Sequence, residues 1–477
     1  MMNGPYLVLA VLAGYFALLV LVARWAARRS DGNAQFFTGG RQSPWWLVSF
    51  GMIGASLSGV TFVSVPGWVA TSQFSYLQMV LGYVAGYAVV AFVLLPLYYR
   101  TSTTTIYGYL EQRFGLAAYR TGAWFFLLSR WVGSSLRLFL VATILHDLVA
   151  EPFGLPFGAT VLGVLALIWL YTHRGGIRAV VFTDTLQTAA MLAVLVWVLV
   201  VLLGKLGVED TWTWLWAQPE SQWFFPDAAD GRNFWKQFLG GMFITITMTG
   251  LDQDMMQKNL TCRNLREAQT NMMVFSAVLV GVNLLFLALG VVLYAYADSA
   301  GISAQGDSLF AAVAMAPGMP AAVSVLFVLG LVAAAYSSAD SALTALTTSF
   351  SVDILGVERM DSARAERLRR RVHVAMTGAV GLLIVAVEPF ADASIIKTIF
   401  TAAGYTYGPL LGLFALGQLT RVQPAGWWVP VAAVLAPLLT WWASWWVPQA
   451  LGYTFGFELI LLNGSLTALL LAVGPKK

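Results

Sequence analysis

The sequence predicts an all-α polytopic membrane protein with about 13 transmembrane helices. Of the 477 residues, 59% are hydrophobic and only 10% are charged, which lies outside the range of soluble globular proteins. A spanning helix needs about 20 apolar residues, and thirteen stretches reach or approach that length. These stretches cover residues 5–27, 44–72, 76–99, 120–149, 157–172, 179–204, 233–256, 270–297, 319–351, 372–388, 393–419, 426–447 and 452–473.

The first stretch, residues 5–27, has the position of a secretory signal peptide but not its pattern. It has no basic start, it is long enough to span a membrane, and it ends in RWAARRS rather than in a cleavage site. We therefore expect residues 1–43 to form an extra transmembrane helix followed by a cytoplasmic loop.

The second and seventh stretches are interrupted near their middles. The second contains FGMIGASLSGVTFVSVPGW (50–68), with Gly54 and Gly59, and the seventh contains FLGGMFITITMTGLDQD (238–254), with three glycines and a ladder of threonines. They are the first and sixth helices of a ten-helix block over 44–419. Glycine-interrupted helices at corresponding places in two halves indicate inverted repeats with a binding site near the midplane. Small residues also permit close helix packing, but the two interruptions together favour broken helices.

This pattern divides the chain into five segments. Residues 1–43 hold the extra helix and its loop, 44–204 a first five-helix repeat, 205–232 an extracellular loop, 233–419 a second five-helix repeat, and 420–477 two further transmembrane helices.

The basic residues predict the orientation, because cytoplasmic loops are enriched in Lys and Arg. With the N-terminus outside and the C-terminus inside, 21 of the 27 Lys and Arg residues fall on the cytoplasmic side. Tryptophans cluster at helix ends, as expected of an aromatic belt at the membrane interface. The compact chain with short loops is typical of a bacterial inner-membrane protein.

Two carboxylates lie in long apolar runs, Asp184 in 177–201 and Asp340 in 331–350. Both have small hydroxyl residues nearby and no basic neighbour in sequence. An unpaired carboxylate at membrane depth is costly and marks an ion or substrate path. Serine and threonine oxygens beside a carboxylate suit a small hard cation. The sequence therefore predicts a cation-coupled membrane transporter.

Other classes of function have little support in the sequence. The chain has one cysteine and three histidines, and none of these is placed for a disulfide framework or a metal site. HExxH and GxSxG patterns are absent and no histidine lies beside the buried serines, so we expect neither an enzyme nor an organic cofactor. The basic charges are spread over short loops, so nucleic acid is not an expected partner, and no obligate protein partner is evident. A channel or a membrane sensor is the alternative of another class.

Four segments of the chain carry a family resemblance. They read TIYGYLEQRFG (105–115), YTHRGGIRAVVFTDTLQ (171–187), GLDQDMMQKNLTCRNLREAQ (250–269) and YSSADSALTALTTSFSVDIL (336–355). Together they resemble the sodium:solute symporter family, which includes bacterial sugar, proline and sialic acid symporters. The resemblance implies a LeuT-type core of two inverted five-helix repeats with broken first and sixth core helices. It also implies Na⁺ as the coupling ion and a small-molecule solute as the cargo.

In that family a sodium ion lies between core helices 1 and 8. The resemblance places its carbonyl ligands on Gly54, Leu57 and Ala334, and its hydroxyl ligands on Ser337 and Ser338. A helix break supports such a site because it frees carbonyl oxygens that an intact helix uses internally. The alternative for the two serines is a bond back to the carbonyl one turn earlier, which is common in membrane helices.

Some relatives have a second sodium site, which the resemblance places on Asp184, Ser337 and Ser341. Asp340 departs from that pattern, because those relatives hold a hydroxyl residue at its position. Two carboxylates near one monovalent ion leave excess negative charge, so either a second cation binds or Asp340 carries a proton. The alternative is that Asp340 faces a wet vestibule or caps a helix without binding an ion.

The middles of the core helices are expected to supply the solute contacts. The candidates are Ser56, Ser58 and Thr61 on core helix 1, Thr245 and Thr249 on core helix 6, and Tyr76 and Thr401 in the pocket or its outer gate. Sugar symporters place asparagine and aromatic groups on core helix 6, and their helix 7 lysine has no counterpart here. A sugar is therefore a weaker prediction.

Arg130 and Arg137 lie seven residues apart and hence on one face of core helix 3. Arginine presents a planar fork that binds carboxylates, and a sialic acid transporter uses an arginine in this helix for its substrate. The alternatives are pairing with an internal acid or, for Arg130, snorkelling to the interface.

The predicted function is sodium-coupled import of a small polar solute by alternating access, with a carboxylate such as sialic acid as one candidate. The alternatives are sodium- or proton-coupled uptake of a neutral sugar, an amino acid or a monocarboxylate.

Overall fold

The computed structural model describes residues 4–27, 33–101, 104–227, 230–390, 395–453 and 455–476. In these residues the chain is helical, and its only β-pairing consists of isolated bridges such as Ser43 with Cys262. The all-α prediction is therefore confirmed.

The longer helices supply the framework, together with the shorter ones next to the breaks. In chain order they are α1 (Gly4–Ala27), α2 (Trp45–Ser56), α3 (Gly59–Ser72), α4 (Ser75–Thr101), α5 (Leu116–Leu145), α6 (Phe157–Thr172), α7 (Gly176–Leu206), α8 (Phe234–Thr245), α9 (Gln253–Asn259), α10 (Leu265–Ala300), α11 (Ala321–Ser349), α12 (Ser362–Val387), α13 (Ile395–Thr406), α14 (Gly408–Leu419), α15 (Trp428–Leu451) and α16 (Leu459–Val473).

Eight of the described helices are long and apolar enough to cross a membrane, and two bent pairs raise the number to ten. The bent pairs are α2 with α3, at 58°, and the last part of α13 with α14, at 43°. α6 and α16 are shorter apolar helices, and α8 with α9 forms the remaining predicted stretch. Each predicted stretch thus contains helix, while the number of membrane crossings, the inverted repeats and the segment boundaries stay predictions.

The second predicted stretch is broken where its glycines indicate. α2 ends at Ser56 and α3 begins at Gly59, and Leu57 between them has φ −89° and ψ 81°, outside the helical range. A Cβ atom on Gly54 would lie 2.2 Å from Thr188 Oγ1, and one on Gly59 would lie 2.4 Å from a valine side chain of α5. Glycine is therefore required on both sides of the break, because neighbouring helices approach the backbone closely.

The seventh predicted stretch is broken as well. α8 ends at Thr245, and a wide π-helical turn continues to Gly250. Asp252 then caps α9, because its carboxylate accepts hydrogen bonds from the backbone N–H groups of Asp254 at 2.8 Å and Met255 at 3.4 Å. The polar turn between α8 and α9 lies inside the bundle.

α11 lies at the centre of the bundle. Nearly all of its residues from Phe327 to Ser349 are buried. α7 packs along α11 on one side and also along α2. The polar side chains of α7 and α11 therefore meet the break between α2 and α3.

Candidate ion and solute site

A polar cavity of about 100 Å³ lies beside the break between α2 and α3. Eight of the nine residues predicted to contact solute line it, which are Ser56, Ser58, Thr61, Tyr76, Arg130, Arg137, Thr245 and Thr249. Thr401 is exposed and does not line the cavity. The lining residues that α13 contributes are Ile399 and Phe400. Both broken helices thus bring their polar residues to one cavity.

The sequence did not indicate three polar residues of the lining, Tyr83, Tyr87 and Asn283. The hydroxyl groups of Tyr76 and Tyr83 lie 3.2 Å apart. Asn283 donates to the carbonyl of Leu279 at 2.8 Å, while its buried side-chain oxygen has no partner among the described residues. A lone amide in the apolar run of α10 was the signal that could have identified Asn283, because polar groups at membrane depth mark functional sites.

Arg137 is a cationic group of the cavity without an acidic partner. Its half-buried side chain lines the cavity, and it forms no ion pair or side-chain hydrogen bond with another described residue. Partly buried charges are normally paired, because an unpaired charge loses hydration without compensation. The guanidinium is therefore positioned to receive an anion from solution.

Arg130 lies on the same face of α5 but is paired with two acidic residues. Its side chain is 4% exposed and contacts both Asp254, through Nη2, and Asp252, with Nη1 3.6 Å from Oδ2. Tyr407 donates a hydrogen bond to the carboxylate of Asp252, and Ser341 donates one to that of Asp254. Arg130 does not snorkel to the interface, and the alternative of pairing with internal acids is the one that the structure shows. This network, which we call the Arg130 lock, ties α5, α9 and α11 together at one end of the cavity.

Two of the residues that the resemblance assigned to a sodium site, Gly54 and Ser337, lie close together. A Cβ atom on Gly54 would lie 2.9 Å from Ser337 Oγ, so the end of α2 touches α11 at this turn. Ser338 donates to the carbonyl of Ala335 at 3.0 Å, the local bond expected of a membrane serine. Gly54 also approaches Thr188 Oγ1, a buried hydroxyl oxygen without a partner among the described residues. The hydroxyl oxygens of Ser337 and Thr188 thus lie at the end of α2 next to the break, and hydroxyl and carbonyl oxygens are the ligand type that a small hard cation prefers.

Asp184 has a basic partner, although the residues around it in the sequence predicted an unpaired carboxylate. Asp184 Oδ2 lies 2.6 Å from Lys258 Nζ, and Asp184 Oδ1 accepts a hydrogen bond of 2.7 Å from Ser337. Lys258 is one of the 21 basic residues that the predicted orientation assigns to loops on the cytoplasmic side, but it lies on α9, whose residues are all buried. The one signal was a single lysine in the otherwise uncharged stretch 255–262, four residues after Asp254.

Asp340 is fully buried and therefore does not face a wet vestibule. Its Oδ2 accepts a hydrogen bond of 3.4 Å from Thr183, and its Oδ1 has no partner among the described residues. Ser341, predicted to join Asp184 and Asp340 in a second site, donates instead to Asp254. The hydroxyl groups of the predicted second site thus point to two different carboxylates.

The fold is that of a polytopic membrane protein with a polar cavity beside a pair of helix breaks, an arrangement typical of secondary transporters. The sequence profile of the sodium:solute symporter family matches residues 36–426. The chain belongs to that family and hence to the class of sodium-coupled symporters.

Its relatives share most of the chain at low identity. The human sodium/iodide cotransporter is 28% identical, over 85% of this chain and 65% of its own length. The sodium/sialic acid symporter NanT of Aliivibrio fischeri is 25% identical, over 96% of this chain and 92% of its own. A solved structure of a Na⁺-coupled sialic acid symporter, in a substrate-bound outward-open state, superposes with a TM-score of 0.81 at 21% identity and covers 98% of both chains. That likeness confirms the fold.

Proposed function

We propose that the protein couples sodium to the transport of a small solute that carries a carboxylate, and that Arg137 binds the carboxylate. The observation that supports this is the guanidinium of Arg137, which lines the cavity without an acidic partner. A neutral solute would leave this cation without an ion pair of its own, since Asp252, the acid whose charge also acts on it, is paired with Arg130. A carboxylate would satisfy it with two parallel hydrogen bonds.

The solutes of several relatives support an anion. They are iodide for the human cotransporter, sialic acid for the symporters NanT and SiaT of Aliivibrio fischeri and Proteus mirabilis, and monocarboxylates for a transporter of Danio rerio. These solutes differ in size and share a negative charge. We therefore expect the solute site of such proteins to contain a cationic group that recognises the charge of the solute rather than its shape.

The rest of the lining suits the neutral polar parts of such a solute. Ser56, Thr245 and Thr249 surround the hydroxyl of Tyr87, and hydroxyl groups can both donate and accept. The free side-chain oxygen of Asn283 adds an acceptor. The carboxylate is thus expected at Arg137, and hydroxyl or amide groups of the solute are expected toward α2, α8 and α10.

The proposed sodium site adjoins this cavity. Its ligands are the carbonyls of Gly54, Leu57 and Ala334 and the hydroxyls of Ser337 and Ser338. Leu57 lies in the break and also lines the cavity, so an ion held there would fix the break beside the solute. Sodium and solute would then each raise the affinity for the other, as thermodynamic linkage requires.

Alternating access in this proposal requires the Arg130 lock to open. The lock joins α5 to α9 and α11 at one end of the cavity, so release of a solute at that end means breaking its ion pairs. We place this end on the cytoplasmic side, with the N-terminus outside, in the cell membrane of a bacterium.

The test is thermal unfolding of the purified protein in choline buffer, titrated with sodium and screened with sialic acid, lactate, iodide, glucose and proline. A sodium-dependent stabilisation that an anionic solute increases is expected, because a ligand of the native state stabilises it. Arg137→Ala should abolish the increase caused by the anion and keep the effect of sodium. Arg263→Ala, which removes an arginine whose side chain is 60% exposed, is the matched control. Stabilisation by a neutral solute that survives in Arg137→Ala would overturn the proposal.

A further inference from the structure

Asp184 belongs to a second group of oxygen atoms next to the proposed sodium site. A second cation would need the side chains of Asp184 on α7 and of Ser337, Asp340 and Ser341 on α11. In the structure Ser337 donates to Asp184 at 2.7 Å, whereas Ser341 donates to Asp254 on α9. The oxygen cage around Asp184 is therefore incomplete.

Lys258 lies where a bound ion would lie. Its Nζ is 2.6 Å from Asp184 Oδ2, and the two side chains are only 1% and 0% exposed. Calcium, an ion of similar size to sodium, lies about 2.3–2.6 Å from its oxygen ligands. The ammonium group thus has both the position and the charge of a monovalent cation bound to Asp184.

We propose that Lys258 is a tethered cation that replaces a second coupling ion at Asp184, so that sodium does not bind there. This inference rests on the proposed sodium-coupled symport. Two positive charges a few ångströms apart in a buried site repel each other strongly, so sodium is excluded while Lys258 is in place. The charge at Asp184 is then neutralised by the chain itself and does not depend on the sodium concentration.

Lys258 also connects the proposed sodium site to the end of the cavity where the Arg130 lock lies. Lys258 stands one turn after Asp254, the partner of Arg130 in the Arg130 lock. Its neighbour Gln257 donates to the carbonyl of Phe37 at 2.7 Å, so this part of α9 is held on several sides. The ion pair with Asp184 therefore ties α9 to α7 in the locked conformation without an ion from solution.

The test counts the sodium ions bound by the purified full-length protein. Far above the dissociation constant, the free energy of unfolding rises with the logarithm of sodium concentration, with a slope proportional to the number of ions bound. Lys258→Gln is expected to increase this slope by one ion, because it leaves Asp184 free to bind sodium. Lys258→Arg keeps the positive charge and is expected to retain the wild-type slope.

The double variant Asp184→Asn with Lys258→Gln provides a second readout should Lys258→Gln fail to fold. It removes both charges, and it is expected to show the wild-type slope. A slope lower by one ion in the double variant would show that Asp184 binds sodium in the wild type and would overturn the inference. An unchanged slope in folded Lys258→Gln would show an ion pair of purely structural role, with the same consequence. Asp340, whose charge also interacts with Asp184 and Lys258, is retained in every variant.

These outcomes differ from a failure of sodium coupling itself. If sodium does not stabilise the wild type at any concentration, the proposed symport falls and this inference falls with it. A wild type that responds to sodium while Lys258→Gln gains no ion overturns the tethered cation alone.

Discussion

Arg130 and Arg137 lie two turns apart on one face of α5, yet their surroundings differ in a way that separates their roles. Arg130 is in contact with two aspartates, and these in turn accept hydrogen bonds from Tyr407 and Ser341. Arg137 borders the cavity and has no acidic partner among the described residues. The same side chain on the same helix face is thus ion-paired with the chain's own acids in one place and has no ion pair in the other.

The difference teaches that residue type and periodicity predict the helix face on which a charged residue lies. The role of that residue depends on the partners that it contacts in the fold. A buried charge whose partners are present in the chain contributes to stability or gating. A charge in a cavity whose partner is missing points to a ligand of opposite charge. The comparison predicts that changes near Arg130 affect the fold and the gate, and that changes near Arg137 affect solute binding.

The largest expected effect follows from Arg130→Ala. Removing one partner of a buried ion pair typically costs about 3–5 kcal/mol, because the remaining charge is left uncompensated. We expect a loss of that size in the stability of the protein, measured by thermal or denaturant unfolding in detergent. The added substitution Asp254→Asn should recover part of the loss. A change below about 1 kcal/mol would show that Arg130 is not held as the structure indicates.

Arg137→Lys is expected to weaken solute binding while leaving the unfolding temperature nearly unchanged. Lysine keeps the charge but loses the planar fork, and a hydrogen bond to a charged group contributes about 1.5–3 kcal/mol. The affinity for the anion should therefore fall by roughly tenfold or more, as measured by calorimetric titration in sodium buffer. Equal affinity in Arg137→Lys and the wild type would contradict two-point binding of a carboxylate.

Tyr407→Phe should loosen the Arg130 lock without removing a charge. A lost hydrogen bond to a charged group costs about 1.5–3 kcal/mol, which favours the unlocked conformation. The readout is maleimide labelling of Ala403→Cys, which lies in a small cavity shared by Arg130, Arg137 and Tyr407. Labelling should be faster in the Tyr407→Phe background, and an equal rate in both backgrounds would argue against a gating role for the tyrosine.

The native cysteine does not interfere with this experiment. Cys262 is 0% exposed, and burial raises the pKa of its thiol to about 12. The reactive thiolate is therefore scarce at neutral pH, and protein without the Ala403→Cys substitution should not react with the maleimide.

The smallest expected effect is that of Asn283→Leu. The side-chain oxygen of Asn283 is a neutral acceptor at the edge of the cavity, and a neutral hydrogen bond contributes about 0.5–1.5 kcal/mol. The affinity for the anion should fall by about two- to tenfold, well below the effect of Arg137→Ala in the same titration. A larger effect than that of Arg137→Ala would shift the centre of recognition from the guanidinium to the amide.

Much of the fold and the solute cavity could be predicted from the sequence. Helix positions follow from apolar stretches, because a membrane requires every backbone polar group to be satisfied internally. The break at Leu57 follows from glycines and hydroxyl residues in one short segment. Ser58, Thr61 and Arg137 could be placed in the cavity because they lie on helices that the resemblance already located.

Long-range partners could not be predicted in the same way. Lys258 and Asp184 are 74 residues apart, and their pairing depends on how α9 folds back into the bundle. Ser341 points to Asp254 rather than to Asp184 for the same reason, since helix rotation decides which carboxylate a hydroxyl reaches. Sequence periodicity gives the face of a residue but not the neighbour that the face meets.

The most direct test of the central claim is a structure of the protein determined with sodium and the anion that stabilises it most. We predict that the carboxylate, or the anion itself, lies within hydrogen-bonding distance of the guanidinium of Arg137. In an outward-facing structure, Arg130 should remain paired with Asp254. A solute bound in this cavity away from Arg137, with that guanidinium still unpartnered, would contradict the account.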